Sequence, residues 1–250
     1  MNGAADQSEP SSQARRGFLG VAAAGIAGAM LAPGVQLIEV AQAATTGANP
    51  RVRWGMLIDT TKCATGCDAC VSACNTENGL GGGTSPTDSQ WIRKVELKEI
   101  ATGRTASLPV MCQHCAEPPC VDVCPTGASF KRADGIVLVD RHTCIGCRYC
   151  MMACPYKARS FVHEEITNQL PDVPRGKGTV ESCTLCVQRI DRGEKTTACA
   201  QACAEAGHGA ILFGDLNDPQ SEIARRVREV ASRPLRADLR LDPGVRYEGL

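Results

Sequence analysis

The sequence predicts an α+β fold made of small antiparallel sheets and short helices. Its apolar runs are short, and turn residues separate several of them, as Thr102-Gly103 separates Trp91 to Glu99 from Ser107 to Met111. Sixteen cysteines occur in 250 residues, and they fall into four groups of four. Aromatic residues make up only 4% of the chain, which is few for a core of this size. We therefore expect bound metal to replace part of the hydrophobic core and to couple its binding to folding.

Residues 1–43 are typical of an export signal. A twin-arginine motif, Ala14 to Leu19, precedes a weakly apolar run from Val21 to Ala32. Ala41-Gln42-Ala43 is an A-x-A cleavage site, so the mature protein is predicted to begin near Ala44. A transmembrane anchor is the alternative, but the apolar run is short and ends at Pro33. The leader predicts a periplasmic location reached by the twin-arginine route, which resembles a translocator of folded proteins.

The other elements alternate with the cysteine groups. A flexible loop is predicted over 79–90 and a linker over 164–180, from their Gly, Ser, Thr and Pro content. A helix is predicted to start at 218–221 and to end near Ser232, before Pro234. The tail, 235–250, is predicted to be polar and extended, without a membrane segment. The predicted strands cover, in chain order, Arg51 to Asp59, Trp91 to Glu99, Ser107 to Met111, Ala128 to Lys131, Ile136 to Val139, Ala158 to His163 and Ala210 to Phe213.

The third cysteine group has the spacing C-x2-C-x2-C-x3-C-P of the bacterial ferredoxin run that binds a [4Fe–4S] cluster. The second group has the same spacing with two extra residues in its second gap. In two-cluster ferredoxins, the fourth cysteine of each run ligates the other cluster. This rule predicts one cluster held by set 2 (Cys112, Cys115, Cys120 and Cys154) and its neighbour held by set 3 (Cys144, Cys147, Cys150 and Cys124).

The first and fourth groups are paired by the same rule. It predicts set 1 (Cys63, Cys67, Cys70 and Cys203) and set 4 (Cys183, Cys186, Cys199 and Cys74). The prediction is thus four [4Fe–4S] clusters in two ferredoxin-like modules, one inserted in the other. The outer module is assigned to 44–108 and 166–215, the inserted module to 109–165, and the helix with its extended tail to 216–250. Each oxidised cluster with its thiolates carries about −2, so basic side chains and backbone N–H groups must offset that charge locally.

Other uses of these residues are possible. Structural zinc sites also contain C-x2-C pairs, usually two pairs with a longer spacer, so a zinc-stabilised interaction module is a second hypothesis. No C-x2-C pair precedes a His, which excludes the usual c-type haem motif. The net charge is zero, which gives no support for nucleic-acid binding. No catalytic residue is predicted, and the four histidines are interpreted as packing or hydrogen-bonding residues (His114, His142, His163 and His208).

Three stretches resemble the four-cluster iron–sulfur electron-transfer subunits of the DMSO reductase type. They are Met111 to Tyr156, the run FGDLNDPQSEIARRV at 213–227, and PGVRY at 243–247. The family includes small subunits of polysulfide, tetrathionate and formate-dependent nitrite reductases, and a periplasmic hydrogenase component. The resemblance supports the crossed ligand sets. The family's usual first gap is C-x2-C, whereas three residues separate Cys63 from Cys67 here.

The resemblance also implies a function and partners. It implies a non-catalytic subunit that relays electrons between an integral-membrane, NrfD-like quinone-interacting subunit and a multihaem cytochrome c, in dissimilatory sulfur metabolism. The leader and the Cys-Ala-Thr-Gly-Cys opening at 63–67 are most similar to a periplasmic subunit of that kind. The alternative within the family is the electron-transfer subunit of a molybdopterin polysulfide or tetrathionate reductase, or of a hydrogenase.

Overall fold

The computed structural model describes residues 47–250, and the predicted export signal lies outside these residues. The strands in chain order are β1 (Trp54–Asp59), β2 (Ile92–Lys98), β3 (Thr105–Met111), β4 (Ser129–Lys131), β5 (Val137–Val139), β6 (Ser160–Phe161), β7 (Val180–Glu181), β8 (Ile211–Asp215), β9 (Ser232–Arg233) and β10 (Val245–Glu248). The α-helices are α1 (Ala69–Asn78), α2 (Pro119–Asp122), α3 (Tyr149–Ala153), α4 (Val187–Asp191), α5 (Ala198–Glu205) and α6 (Glu222–Glu229), and a 3₁₀ turn covers Ala237–Leu239. None of the helices in the described part of the chain is long and apolar enough to span a membrane.

Three two-stranded antiparallel sheets confirm the prediction of small antiparallel sheets. β2 pairs with β3, and β4 with β5, as the predicted hairpins require. The third pair joins β6 to β7, which lies at the end of the predicted linker. Both partners are only two residues long, so β7 has too short an apolar pattern to be recognised in the sequence.

A four-stranded sheet, with the order β8-β1-β10-β9, is the largest in the fold. β1 is antiparallel to β8 and parallel to β10, so Met56 lies between Phe213 and Val245. Met56 and Val245 are fully buried. The pairing of β1 with β8 brings the segment before the first cysteine group against the segment after the fourth.

The C-terminal tail corrects a prediction. It was expected to be polar and extended. β10 is extended, but it lies inside the four-stranded sheet, and Val245 and Tyr247 are fully buried. The Tyr247 hydroxyl donates to the Pro109 carbonyl at 3.1 Å and accepts from the Gln113 amide at 3.2 Å. The strand is only four residues long, and Arg246 separates its two buried residues, so the sequence has no apolar run at this point.

Helix α6 is shorter than predicted. The Ser221 hydroxyl accepts a hydrogen bond from Ala224 N and caps its N-terminus, as the sequence suggests. The helix ends at Glu229 instead of near Ser232, because Val230 is already extended and Ser232 joins β9. At the predicted end of the helix, the chain instead forms a strand that pairs with β10.

Cysteines form part of the main core. A single cluster of buried residues combines Met56, Ile58, Trp91 and Tyr247 with cysteines from all four groups. Helices α1 and α5, which carry the last two cysteines of the first and fourth groups, pack against each other. Cysteines thus occupy part of the core, and the replacement of core by bound metal stays a prediction.

Candidate metal centres

All four cysteine groups share one feature of backbone geometry. The residue directly before the second cysteine of each group has a positive φ: 77° at Gly66, 44° at His114, 70° at Gly146 and 53° at Leu185. A left-handed residue at this position turns the chain, so that the first and second cysteines can face one cavity. For a non-glycine residue this conformation costs roughly 1–2 kcal/mol, so His114 and Leu185 indicate a backbone held by its surroundings. The extra residue between Cys63 and Cys67 does not alter this turn, because Gly66 occupies the same place.

Gly146 is required for a second reason. A Cβ atom at this position would overlap the Gly178 carbonyl oxygen and approach the Phe161 ring. The loop between Cys144 and Cys147 therefore lies directly against the segment that leads into β7. Any larger residue would displace one of these two segments.

Short helices position the last two cysteines of each outer group. Cys70 and Cys74 lie in α1, and Cys199 and Cys203 lie in α5. Cysteines four positions apart lie on one face of a helix, with their Cβ atoms about 5–6 Å apart. Each helix therefore presents two thiols to neighbouring sites.

The structure places the four thiols of set 1 beside one another, and likewise the four thiols of set 2. All four cysteines of set 1 line one small cavity, and all four cysteines of set 2 line another. Cys203 reaches the first cavity from α5, and Cys154 reaches the second from the end of α3.

The thiols of the other two sets are also neighbours. Cys183 lies in electrostatic range of Cys74, Cys186 and Cys199, which is the whole of set 4. Cys150 has Cys144 and Cys124 as its thiol neighbours, and these three belong to set 3. The fourth member of set 3, Cys147, is the only exposed cysteine of the sixteen. Which thiol binds which cluster stays a prediction.

The buried thiols favour a cationic occupant. Burial raises the pKa of Cys70 to about 11, and burial raises the pKa of Cys115 and of Cys199 to about 12. Isolated thiols of this kind stay protonated at neutral pH, whereas metals bind the thiolate. A positively charged metal core in each cavity would supply the missing stabilisation.

The donor set fits an iron–sulfur cluster. Within residues 47–250, no three His, Cys, Asp or Glu side chains are arranged to bind a single metal ion. In sets 1 and 2 the four thiols instead line the wall of a cavity. Four soft ligands spread around a cavity suit a cubane, in which each iron takes one cysteine thiolate.

Backbone amides donate hydrogen bonds to the sulfurs. Such bonds are one of the means by which a protein sets cluster potential. Five are present at 3.3–3.5 Å, from the N–H groups of Ser129, Val180, Leu185, Ala198 and Ala210 to the Sγ atoms of Cys124, Cys144, Cys183, Cys186 and Cys203, respectively. These donors supply part of the local charge compensation expected from the sequence.

Two basic side chains beside the cavities were not identified from the sequence. Lys94, on β2, lines the set 1 cavity, and its Nζ donates to the carbonyls of Ala64 and Cys67 at 2.9 Å each. Arg159 lines the set 2 cavity, and its Nη2 donates to Cys120 Sγ at 3.1 Å. Their positions depend on β2 and on the chain after α3, so no spacing relative to the cysteines could have revealed them.

His114 has the hydrogen-bonding role that was expected of it. Its Nδ1 accepts from Val137 N at 3.0 Å, and the side chain is buried. Burial and the nearby Arg159 charge lower the pKa of His114 to about 3, so the ring stays neutral.

Comparison with known proteins identifies the family. The family model for a 4Fe-4S dicluster domain matches residues 104–215. The Hdr-like menaquinol oxidoreductase iron–sulfur subunit 1 of Archaeoglobus fulgidus is 40% identical over 263 aligned positions, covering 94% of this chain and 98% of its own length. The chain belongs to the family of dicluster iron–sulfur subunits.

Other members of the dicluster iron–sulfur subunit family are similarly close. A subunit of tetrathionate reductase from Salmonella typhimurium is 37% identical, over 81% of this chain and 74% of its own length. The iron–sulfur cluster-binding subunit of menaquinone reductase from Nitratidesulfovibrio vulgaris is 34% identical, over 79% of this chain and 89% of its own length. The expected relationship to iron–sulfur subunits of oxidoreductases is therefore confirmed.

Proposed function

We propose that this dicluster iron–sulfur subunit is a periplasmic electron carrier with four [4Fe–4S] clusters and no substrate chemistry of its own. The observation that carries the proposal is that two cavities are each lined by four cysteines, one of which comes from a distant group: Cys203 in the first cavity and Cys154 in the second. When bound, [4Fe–4S] clusters accept and release single electrons.

The residues of the chain then have three tasks. The four sets supply the thiolates, and the amide donors stabilise the sulfurs as negative charge increases on reduction. Buried residues in the same core cluster as the cysteines, such as Ile136 and Leu185, exclude water. Because α1 and α5 each place two cysteines in neighbouring sets, clusters 1 and 4 would lie side by side, as the passage of electrons from one to the next requires.

Metal analysis tests the cluster content. Anaerobically purified protein should contain about 16 irons and as many sulfides per chain, with broad absorption near ~400 nm. Zinc in place of iron would support the interaction module instead. A much lower iron content with no bound zinc would contradict both.

The physiological partner in this proposal is an NrfD-like quinone-interacting membrane subunit, with a multihaem cytochrome c as a second redox partner. The opening at 63–67 and the twin-arginine leader support a subunit like DsrO, the periplasmic iron–sulfur subunit of the DsrMKJOP complex of sulfur metabolism. The names of two relatives, subunits of a menaquinol oxidoreductase and of a menaquinone reductase, support a quinone-linked complex.

The second candidate function is the electron-transfer subunit of a molybdopterin reductase. The 37% identity to the tetrathionate reductase subunit favours it. Co-purification of the tagged chain from solubilised membranes separates the two: an NrfD-like subunit with a cytochrome supports the first, and a large molybdopterin subunit supports the second.

Export is tested by replacing the twin arginines. Arg15→Lys together with Arg16→Lys should retain the cluster-loaded protein in the cytoplasm, whereas the wild-type chain should fractionate with the periplasmic face of the membrane. A double variant that is still exported would contradict the twin-arginine route.

A further inference from the structure

Arg159 is a buried cation without a carboxylate partner. Its side chain lies beside the set 2 cavity, and the residue is only 6% exposed. Nη2 donates to Cys120 Sγ at 3.1 Å and to Ser129 Oγ at 2.8 Å. Within residues 47–250, Nε and Nη1 have no hydrogen-bond partner and no carboxylate forms an ion pair with the guanidinium. A buried charge without a counter-charge is costly, so the structure must provide compensation at this point.

Arg175 is another buried arginine, and a carboxylate compensates its charge in the usual way. Arg175 binds Glu181 through two hydrogen bonds of 3.0 and 2.7 Å, and donates a third to the Gly79 carbonyl. Arg159 has only a thiol and a hydroxyl as its bonded partners. A carboxylate supplies the negative charge beside Arg175. Beside Arg159, that negative charge must come from the sulfur ligands.

The guanidinium lies between two ligand sets. On one side, Nη2 donates to Cys120 Sγ, which belongs to set 2. On the other side, Nη2 donates to the Ser129 hydroxyl, and the Ser129 N–H donates to Cys124 Sγ of set 3 at 3.3 Å. Cys150, also of set 3, is another thiol close to the guanidinium. One positive charge therefore acts on thiols of both inner sets.

We propose that Arg159 is a shared charge that raises the reduction potentials of the clusters in set 2 and set 3 together. This inference rests on the proposed function, because it requires clusters at both sets. An added electron makes a cluster more negative, and a nearby guanidinium stabilises that reduced state. Because the charge is buried, solvent screens it little, and its effect falls on the two sets that it lies between. Arg159 is a positioning residue for electron transfer: it shifts the potentials of two neighbouring carriers in the same direction, so the difference between them changes little.

The test is a redox titration of the cluster-loaded protein, monitored by electron paramagnetic resonance. Arg159→Gln removes the charge and keeps a polar side chain. The two signals of sets 2 and 3 should become harder to reduce, with the reduced-to-oxidised ratio at a fixed potential falling about tenfold, or about 59 mV for a one-electron couple. The two signals of sets 1 and 4 should change less than about twofold. Arg159→Lys, which keeps the charge, should recover most of the shift.

Arg141→Gln is the matched control. Arg141 is partly buried, but its charged neighbours are Glu181 and Arg175 and its ring contact is Trp91, with no thiol among them. Its loss should leave all four potentials unchanged.

Each outcome has a defined meaning. Unchanged potentials in Arg159→Gln, a shift confined to one signal, or equal shifts in all four would overturn the shared-charge proposal. If Arg159→Gln does not assemble clusters, Arg159→Met, which also removes the charge, takes its place: a joint fall of the two inner potentials supports the proposal, and unchanged potentials contradict it. Wild-type protein without clusters would contradict the proposed function itself, whereas fully loaded protein with unshifted variants contradicts only the role of Arg159.

Discussion

Cys154→Ser provides the sharpest test of crossed ligation. Along the chain, Cys154 belongs with Cys144, Cys147 and Cys150, but its thiol lines the cavity of set 2 and is only 7% exposed. Cys115 has Cys154 among its thiol neighbours, together with Cys112 and Cys120. Serine keeps the size of the side chain but replaces the soft sulfur with a hard oxygen, which is a poor ligand for this kind of cluster. The variant should therefore lose the set 2 cluster and keep the set 3 cluster.

The iron content expected of each variant follows from the number of ligand sets that it breaks. Loss of one cubane lowers the iron content from about 16 to about 12 per chain. A second substitution in the same set, Cys115→Ser, removes a ligand of a cluster already lost, so the double variant should still hold about 12 irons. Cys154→Ser combined with Cys150→Ser breaks two sets and should hold about 8.

Iron and sulfide analysis of anaerobically purified variants, with electron paramagnetic resonance of the reduced protein, measures these values. Similar folding of the single variants, checked by circular dichroism, is the control. The crossing rule would be refuted by the opposite pattern, in which the pair 154 and 150 retains about 12 irons and the pair 154 and 115 falls to about 8.

Three further predictions concern stability and cluster lability. Glu181→Gln leaves Arg175 buried without a counter-charge and should destabilise the fold by about 3–5 kcal/mol, measured as a lower urea midpoint. Burial alone would raise the pKa of Glu77, but its hydrogen bond from Arg189 holds the pKa below the ordinary value of 4.5. This interaction contributes stability above about pH 4.5 that is lost as the pH falls below it, so Glu77→Gln should lower the thermal midpoint at pH 7 and much less at pH 4. Because Cys147 is exposed, ferricyanide should first remove about 4 irons, together with the signal of set 3.

Each of these has a control or a contrary result. Glu248→Gln is the control for Glu181→Gln, because it breaks the more exposed pair with Arg226 and should lower the free energy of unfolding by only about 0–1 kcal/mol. An equally small loss of stability in Glu181→Gln would contradict the prediction for Glu181. A stability difference for Glu77→Gln that grows towards pH 4 would contradict the second. Simultaneous loss of all four signals would contradict the third.

The cysteine spacing predicted most of the candidate site, because ligand spacing is a local property. Once the fourth-cysteine rule is applied to 112–124 and 144–154, the two inner sets follow without knowledge of the fold. The hairpins β2–β3 and β4–β5 could also be predicted from the sequence, since each combines a turn signal with adjacent apolar runs. The features that could not be predicted depend on distant segments. β10 is a strand because β1 and β9 lie beside it. Arg159 is proposed to act on two clusters because thiols of two sets lie beside it.

The residues with positive φ include two whose conformation could not be predicted from the local sequence. Gly66 and Gly146 could be expected to turn the chain, but His114 and Leu185 occupy the same position without a glycine's freedom. Leu185 is fully buried, and His114 is fixed by its bond to Val137 N, so packing holds each residue in a conformation that its own preference disfavours. Glycine, histidine and leucine thus share a positive φ at the same position of the four cysteine groups.

The meeting of the first and fourth cysteine groups has a simple energetic explanation. α1 and α5 pack together, and β1 pairs with β8, although more than a hundred residues of chain separate the paired elements. The entropy cost of closing such a loop rises only by about 0.6 kcal/mol for each doubling of its length. A long intervening segment with two cysteine groups of its own therefore adds little to the cost of bringing the outer groups together. Shared ligation would offset that cost, since Cys203 reaches set 1 and Cys74 reaches set 4, and each bound cluster would join segments from both ends of the loop.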